Sequence, residues 1–136
     1  MRILFVCQGN VARSQMAEAY YNYFTKSDNA SSAGVLDFTP AKYRHPTKEV
    51  IQLMKEEGLD VSQQIVKFIT KEMVDNANKI FVICKKEECP IFLLNSGKIT
   101  FWNINDPYNT SLEKHQIVRD EIKKHIKQLI KETSVK

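Results

Sequence analysis

The first 24 residues, MRILFVCQGNVARSQMAEAYYNYF (1–24), decide the fold of this chain. An apolar run (2–6) leads into Cys7, a loop continues to Arg13, and apolar residues then recur at spacings of three and four. The run is typical of a strand buried on both faces of a parallel sheet, and the later spacing is typical of an amphipathic helix. The stretch therefore predicts a strand–loop–helix unit, in which Ser14 caps the helix.

The rest of the chain continues this alternation of strands and helices. Further strands are predicted at 29–35, 79–84 and 99–102, helices at 46–58, 69–76 and 112–131, and a loop with two prolines at 36–46. Strands that alternate with helices favour parallel pairing, because each crossover packs a helix on one face of the sheet. We therefore expect an α/β fold: one domain, residues 1–136, with a doubly wound sheet of four parallel strands and helices on both faces.

The composition indicates a soluble protein of the cytoplasm. The chain is 43% hydrophobic and 26% charged, which is ordinary for a globular domain. No apolar run approaches the roughly 20 residues that span a bilayer, and the N-terminal run indicates a first strand and not a signal peptide. The net charge of +4 comes largely from lysines of the C-terminal helix. These are typical of a solvated face, so neither a membrane nor a nucleic acid is expected as a partner.

The three cysteines are Cys7, Cys84 and Cys89. An odd number without an export signal argues against a disulfide framework. No zinc site is predicted either, since the pair Cys84 and Cys89 has no second Cys or His pair nearby. Cys7 and Cys84 both follow predicted strands at their carboxyl ends, the edge at which doubly wound sheets bind ligands. Their position favours a functional role over simple packing.

The loop after Cys7 has the residues of an anion-binding cradle. Backbone N–H groups at a helix N-terminus favour an anion, Gly9 permits close approach, and the planar Arg13 side chain matches two oxygens of an oxyanion. A thiolate at Cys7 is stabilised by the same features, so Cys7 is a candidate nucleophile. The alternative, a buried Cys7 with a solvated Arg13, is less consistent with the whole stretch. The residues predicted to bind the oxyanion or support the loop are Gln8, Gly9, Asn10, Val11, Ala12, Arg13 and Ser14.

This loop resembles the signature of the low-molecular-weight protein tyrosine phosphatases and of the arsenate reductases that share their fold: Cys, five residues, Arg, Ser. The resemblance implies an enzyme without a cofactor, in which Cys7 attacks phosphorus or arsenic, Arg13 binds the oxyanion and Asn10 holds the loop. It also implies that Asp106 protonates the leaving oxygen. The resemblance continues through RSQMAEA (13–19), SSAG (31–34), EVIQLMKEEGLDVS (49–62), KEMVDNANKIFVIC (71–84) and WNINDPY (102–108).

The Asp106-Pro107 pair fits the role of a proton donor chemically. A hydroxide or phosphoester oxygen leaves poorly unless it is protonated, and a positioned carboxylic acid contributes about 10²–10⁴-fold. Alone, the dipeptide would indicate a simple turn. Because the chain also contains the cysteine loop, we favour the role of proton donor for Asp106. Tyr108 is expected either at the mouth of the pocket or as an exposed loop aromatic.

Two reactions of this family share the first attack and differ in the second step. A phosphatase hydrolyses its phosphocysteine with water, whereas a thiol-linked arsenate reductase passes the oxidation to two further cysteines. Cys84 at a strand end and Cys89 before a proline are similar to the thioredoxin-coupled reductases, and so is the segment SQMAEA. Lysines 85 and 86 are expected to favour a Cys84 thiolate.

Arsenate reduction through Cys7, Cys84 and Cys89 is therefore the first hypothesis, with arsenate or a phosphate-type oxyanion as substrate and thioredoxin or another thiol as reductant. The alternative is a protein tyrosine phosphatase, a hydrolase with a phosphotyrosine protein as substrate. A third hypothesis, an oxyanion-binding module without turnover, does not explain why Cys7, Arg13 and Asp106 occur together.

Three departures from the family pattern are visible. The segment between Cys84 and Cys89 is shorter than usual, and Ala12 stands where most members have a second loop cysteine. Some reductases also bind a potassium ion near the loop, at positions that match Asn10, Glu18 and Ser32. Lys67 stands in place of an acidic ligand there, so no metal is predicted.

Overall fold

A computed structural model describes residues 1–36 and 43–134, so most of the predicted proline-containing loop lies outside the described residues. The elements alternate as predicted. In chain order they are β1 (Ile3–Cys7), α1 (Arg13–Thr25), β2 (Ala30–Gly34), α2 (Lys48–Glu56), α3 (Lys71–Asn76), β3 (Lys79–Val82), a 3-10 turn (Lys86–Glu88), α4 (Ile91–Leu94), β4 (Ile99–Phe101) and α5 (Leu112–Ser134).

The four strands form one parallel sheet in the order β2-β1-β3-β4, which confirms the predicted fold class. Because all strands run in the same direction, their carboxyl ends meet at one edge. Cys7 ends β1 and pairs with Gly34 at the end of β2. The segments that follow β3 and β4 carry Cys84 and Asp106 to the same edge. The sheet thus brings together residues that are far apart in the sequence.

The two faces of the sheet are covered by different helices. Alternate residues of β1 enter opposite layers: Ile3, Phe5 and Cys7 pack in a core with side chains of α1, α2 and α5. Leu4 and Val6 pack in a second core with side chains of α3 and α4. The central strand is therefore buried on both faces, as its apolar run predicts.

Several predicted boundaries are wrong, for identifiable reasons. Ser14 does not cap α1; the helix already begins at Arg13, with Ala12 as its cap residue and no side-chain cap. The second helix begins at Lys48 and not at residue 46, because Thr47 stays extended and donates its N–H to the Val11 carbonyl. The third helix begins at Lys71 and not at residue 69, because Thr70 is its cap residue, with a hydroxyl that accepts the Met73 N–H.

The third strand is shorter than predicted, and two short elements have no counterpart in the prediction. The strand ends at Val82, after which the Ile83 carbonyl accepts a hydrogen bond from Arg13. The 3-10 turn and α4 are single short turns between Cys84 and β4, too short to produce a periodic pattern. In the described ranges, no helix has the length and apolar content to cross a membrane.

Gly34 is the position at which the sheet meets the loop after Cys7. A Cβ atom there would lie 2.8 Å from the Gly9 carbonyl carbon, 2.9 Å from the Asn10 nitrogen and 2.9 Å from the Gln8 oxygen. All three are backbone atoms, which cannot move aside without shifting the loop. The close approach of β2 therefore requires glycine.

We predict that Gly34→Ala lowers the free energy of unfolding by about 1–3 kcal/mol, the usual cost of overpacking. Urea denaturation measures this change. Ser31→Ala, an exposed position on the same strand, is the control and should stay within about 0.5 kcal/mol of the parent protein. Equal stability of the two variants would contradict the close packing of strand and loop.

Candidate active site

The Cys7 sulfur lies at the base of the loop and receives two hydrogen bonds. The Asn10 backbone N–H donates to Sγ at 3.3 Å, and the Ser14 hydroxyl lies 2.9 Å from Sγ. The Asn10 side-chain amide donates to the Ser14 oxygen at 2.7 Å, so the hydroxyl proton of Ser14 is left for the sulfur. Two donors thus point at one buried sulfur.

Asn10 fixes the shape of the loop. It is fully buried and adopts a left-handed backbone conformation with φ of 58°, which asparagine tolerates better than most residues. Its side-chain oxygen accepts from the Lys67 backbone N–H at 2.9 Å and from the Gln15 amide at 3.0 Å. These two donors determine the orientation of the Asn10 amide, and hence its hydrogen bond to Ser14.

The inside of the loop offers donors to a ligand. The backbone N–H groups of Gly9, Val11 and Ala12 make no hydrogen bond within the described part of the chain. A small pocket of about 20 Å³ lies over them, lined by residues of the loop together with Asp106 and Tyr108. Convergent N–H groups at a helix N-terminus form a site for an anion.

Arg13 and Asp106 meet at the rim of this pocket. Arg13 is buried, and its Nη1 donates to the carbonyl oxygens of Ile83 at 2.5 Å and Ile104 at 3.0 Å. Its Nη2 lies 3.5 Å from Oδ2 of the exposed Asp106. The other Asp106 oxygen accepts the Tyr108 backbone N–H at 3.0 Å. The carboxyl group is thus held beside the guanidinium, facing the same pocket as Cys7.

Tyr108 lines the pocket and is half-buried. Its hydroxyl lies 2.9 Å from the hydroxyl of Tyr43, and the two rings are nearly perpendicular, at 86°. The hydrogen bond to Tyr108, together with burial, raises the pKa of Tyr43 to about 12. Tyr43 therefore stays neutral at physiological pH, and its contact with Tyr108 supports the ring that lines the pocket.

Cys84 and Cys89 lie beside the loop, with their sulfur atoms 3.9 Å apart. Burial raises the pKa of the Cys84 thiol well above its usual range, and the neighbouring Cys89, Cys7 and Glu88 raise it further. Burial also raises the pKa of Cys89. The expectation that the adjacent lysines favour a Cys84 thiolate is therefore wrong, because residues 85 and 86 are exposed while the sulfur is buried.

The positions that match a potassium site hold a lysine ammonium. Lys67 Nζ donates to the Ile65 carbonyl at 2.9 Å and lies 4.0 Å from Oε1 of Glu18. The Ser32 hydroxyl donates to the same Glu18 oxygen at 2.7 Å. Since this carboxylate already has a cationic partner and a donor, the residues do not fit a bound metal ion. Among the described residues, no group of three or more His, Cys, Asp or Glu side chains could hold one either.

Sequence reasoning missed the residues that support the loop from behind. Gln15 is buried in α1 and donates to Asn10 and to the Ile65 carbonyl at 2.9 Å. The Gln64 amide in turn donates to the Gln15 side-chain oxygen at 2.6 Å. The only sequence signal is an amide residue on the apolar face of α1. Gln8 lines the pocket as predicted for the loop, and its side chain donates to Glu88.

Comparisons with known proteins agree with this geometry. Residues 2–136 match the family described as low molecular weight phosphotyrosine protein phosphatase. An arsenate reductase of Staphylococcus aureus (strain Newman) is 33% identical over 124 residues, 89% of each chain. A low molecular weight protein tyrosine phosphatase from T. tengcongensis superposes with a TM-score of 0.82 at 29% identity, over 97% of this chain and 99% of that one. A structure of an arsenate reductase in the phosphate binding state superposes with a TM-score of 0.79 at 26% identity, over 97% and 98% of the two chains.

We predict that Ser14→Ala slows alkylation of Cys7 by iodoacetamide at neutral pH by about tenfold, because the sulfur loses one of its two donors. Peptide mass spectrometry after timed quenching measures labelling of Cys7 separately from the other cysteines. Ser31→Ala is the control and should leave the rate unchanged. An unchanged rate in Ser14→Ala would contradict a hydroxyl donor to the sulfur.

Proposed function

This chain belongs to the low molecular weight phosphotyrosine protein phosphatase family, an enzyme family of cysteine-dependent oxyanion chemistry, and from that premise we propose that it reduces arsenate to arsenite. The observation that carries the proposal is the 3.9 Å separation of the Cys84 and Cys89 sulfurs beside the loop that holds Cys7. A phosphatase needs only the first cysteine, whereas a thiol relay needs all three.

In the first step, the Cys7 thiolate attacks the arsenic atom of bound arsenate. An S–As bond forms and an As–O bond breaks, and the departing oxygen takes a proton from Asp106. Arg13 Nη2 and the free N–H groups of the loop stabilise the negative charge on the remaining oxygens. Asp106 suits this role because it lines the same pocket as Cys7.

In the second step, the Cys84 thiolate attacks the Cys7 sulfur. A disulfide bond forms, the S–As bond breaks, and its electron pair reduces As(V) to As(III), which leaves as arsenite. The Cys89 thiolate then attacks the Cys84 sulfur and releases Cys7 as a thiolate. The two electrons given to arsenic come from the two thiols that end as the Cys84–Cys89 disulfide. Thioredoxin or another dithiol reduces that disulfide and completes the cycle.

The alternative is hydrolysis of a phosphotyrosine protein through a phosphocysteine at Cys7. The likeness to the T. tengcongensis phosphatase favours it, and so does the arrangement of Cys7, Arg13 and Asp106, which serves either reaction. Water would take the place of Cys84 in the second step. The two activities can coexist, because the first step is common to both.

The cycle requires a reducing compartment, so we propose that the protein works in the cytoplasm, as a single domain of residues 1–136. In an oxidising compartment, Cys84 and Cys89 would remain joined as a disulfide and could not supply electrons to a second molecule of arsenate.

Cysteine variants separate the two reactions. We predict that Cys89→Ser abolishes arsenate-dependent oxidation of thioredoxin, yet keeps hydrolysis of para-nitrophenyl phosphate within about twofold, since only Cys7 is needed for hydrolysis. Cys84→Ser should behave in the same way. Cys7→Ser should abolish both activities and serves as the reference for complete loss. Full reductase activity in Cys89→Ser would exclude the relay.

The pH dependence of the two activities should also differ. Because the pKa values of Cys84 and Cys89 are raised, both are mostly protonated at neutral pH, and their thiolate fractions increase as the pH rises. If the relay limits the rate, arsenate reduction should increase about tenfold per pH unit between about pH 7 and 9, relative to para-nitrophenyl phosphate hydrolysis. Single-turnover rates measured in parallel give this ratio. A ratio independent of pH would show that thiolate formation at these cysteines does not limit the reaction.

A further inference from the structure

Gln8 links the oxyanion loop to the segment that carries the second and third cysteines. It follows the nucleophile directly, yet its side-chain amide donates to Oε2 of Glu88 at 2.5 Å. Both residues are half-buried, in contrast to the exposed residues 85–87 that precede Glu88. A hydrogen bond to a charged acceptor in such a place is stronger than one at an open surface.

Glu88 also closes the turn that presents Cys89. Its second oxygen accepts the Lys85 backbone N–H at 2.9 Å, and its own N–H donates to the Lys85 carbonyl at 3.0 Å. The Cys89 thiol faces the same carbonyl at 3.5 Å and the Cys84 sulfur at 3.9 Å. One carboxylate thus connects the oxyanion loop to both ends of the turn between Cys84 and Cys89.

A cavity of about 490 Å³ is lined by residues of both segments. Gln8, Arg13 and Asp106 line it together with Cys84 and Glu88. The hydrogen bond between Gln8 and Glu88 joins the side chains of the two segments directly.

We propose that the hydrogen bond between Gln8 and Glu88 is a clasp that holds the Cys84–Cys89 segment against the oxyanion loop. Glu88 is then a positioning residue for the disulfide exchange that converts the Cys7–Cys84 disulfide into the Cys84–Cys89 disulfide. This inference rests on the proposed relay. The clasp acts by proximity, because thiol exchange depends on the fraction of time that the attacking sulfur spends within reach of its target.

Removal of the Glu88 side chain has two opposite expected effects on the rate of the relay. One comes from its negative charge and the other from its hydrogen bond to Gln8, so an experiment can tell them apart. The carboxylate raises the pKa of both Cys84 and Cys89, so its removal alone would increase their thiolate fractions and speed the relay. Loss of the clasp would slow it. Glu87 supplies a matched control, because its charge also raises the pKa of Cys89 while its side chain is exposed.

The first experiment compares Glu88→Ala with Glu87→Ala in a single turnover with arsenate. The Cys84–Cys89 disulfide is measured by mass spectrometry after quenching with N-ethylmaleimide. Glu88→Ala should form it about tenfold more slowly, the effect of losing one hydrogen bond to a charged group, and Glu87→Ala should equal or exceed the parent rate. Hydrolysis of para-nitrophenyl phosphate should stay within about twofold in both variants, since it does not use the turn. A parallel loss of hydrolysis in Glu88→Ala would mean general damage to the site and would overturn the positioning role.

The second experiment needs no arsenate and keeps the clasp testable if the relay is wrong. Timed alkylation of Cys89 by N-ethylmaleimide reports how freely the turn opens. Glu88→Ala should react at least about fivefold faster than Glu87→Ala, because only the former loses a bond that restrains the turn.

Gln8→Ala should give a similar increase, and the double variant with Glu88→Ala should add little. Equal alkylation of Glu88→Ala and Glu87→Ala would exclude the clasp. If the parent protein forms no disulfide with arsenate, the relay fails, and this alkylation series alone decides whether the clasp exists.

Discussion

The buried side chain of Asn10 is the constraint on which the candidate site depends. Its oxygen is held by donors from α1 and from residue 67, so its amide nitrogen can point only at Ser14. Ser14 must then turn its proton toward Cys7. The left-handed backbone of Asn10 turns its own N–H to the same sulfur. A single amide therefore sets both the shape of the loop and the environment of the nucleophile.

The parallel sheet supplies the second level of organisation. Each strand ends at the same edge, so the sheet collects one part of the site from each crossover without any long loop. β1 contributes Cys7, and β3 leads into Cys84. Asp106 follows β4, while Gly34 at the end of β2 leaves room for the loop. The shape of the loop therefore requires that residue 34 has no side chain.

The sequence predicts the fold and the outline of the site because both depend on local patterns. Buried strands produce apolar runs, and the spacing of Cys7, Arg13 and Ser14 is short enough to read directly. The features that the sequence does not predict depend on contacts between distant segments. A helix cap is the local expectation for Ser14, but the amide of Asn10 directs its hydroxyl to sulfur. The pKa of Cys84 is raised because the thiol is buried. The two lysines that follow it in the sequence suggest a lowered pKa, since burial cannot be read from them.

The position of the Cys84–Cys89 turn has a consequence for how this enzyme family can diversify. The groups that hold the nucleophile come from β1, α1 and the segment around residue 67, whereas the turn lies after β3 and has exposed residues at 85–87. Cys89 is only half-buried, so its position can gain or lose a cysteine at little cost to folding. The fate of the covalent intermediate can therefore evolve separately from its formation, and a few substitutions in one short segment would suffice to exchange water for a thiol as the second nucleophile.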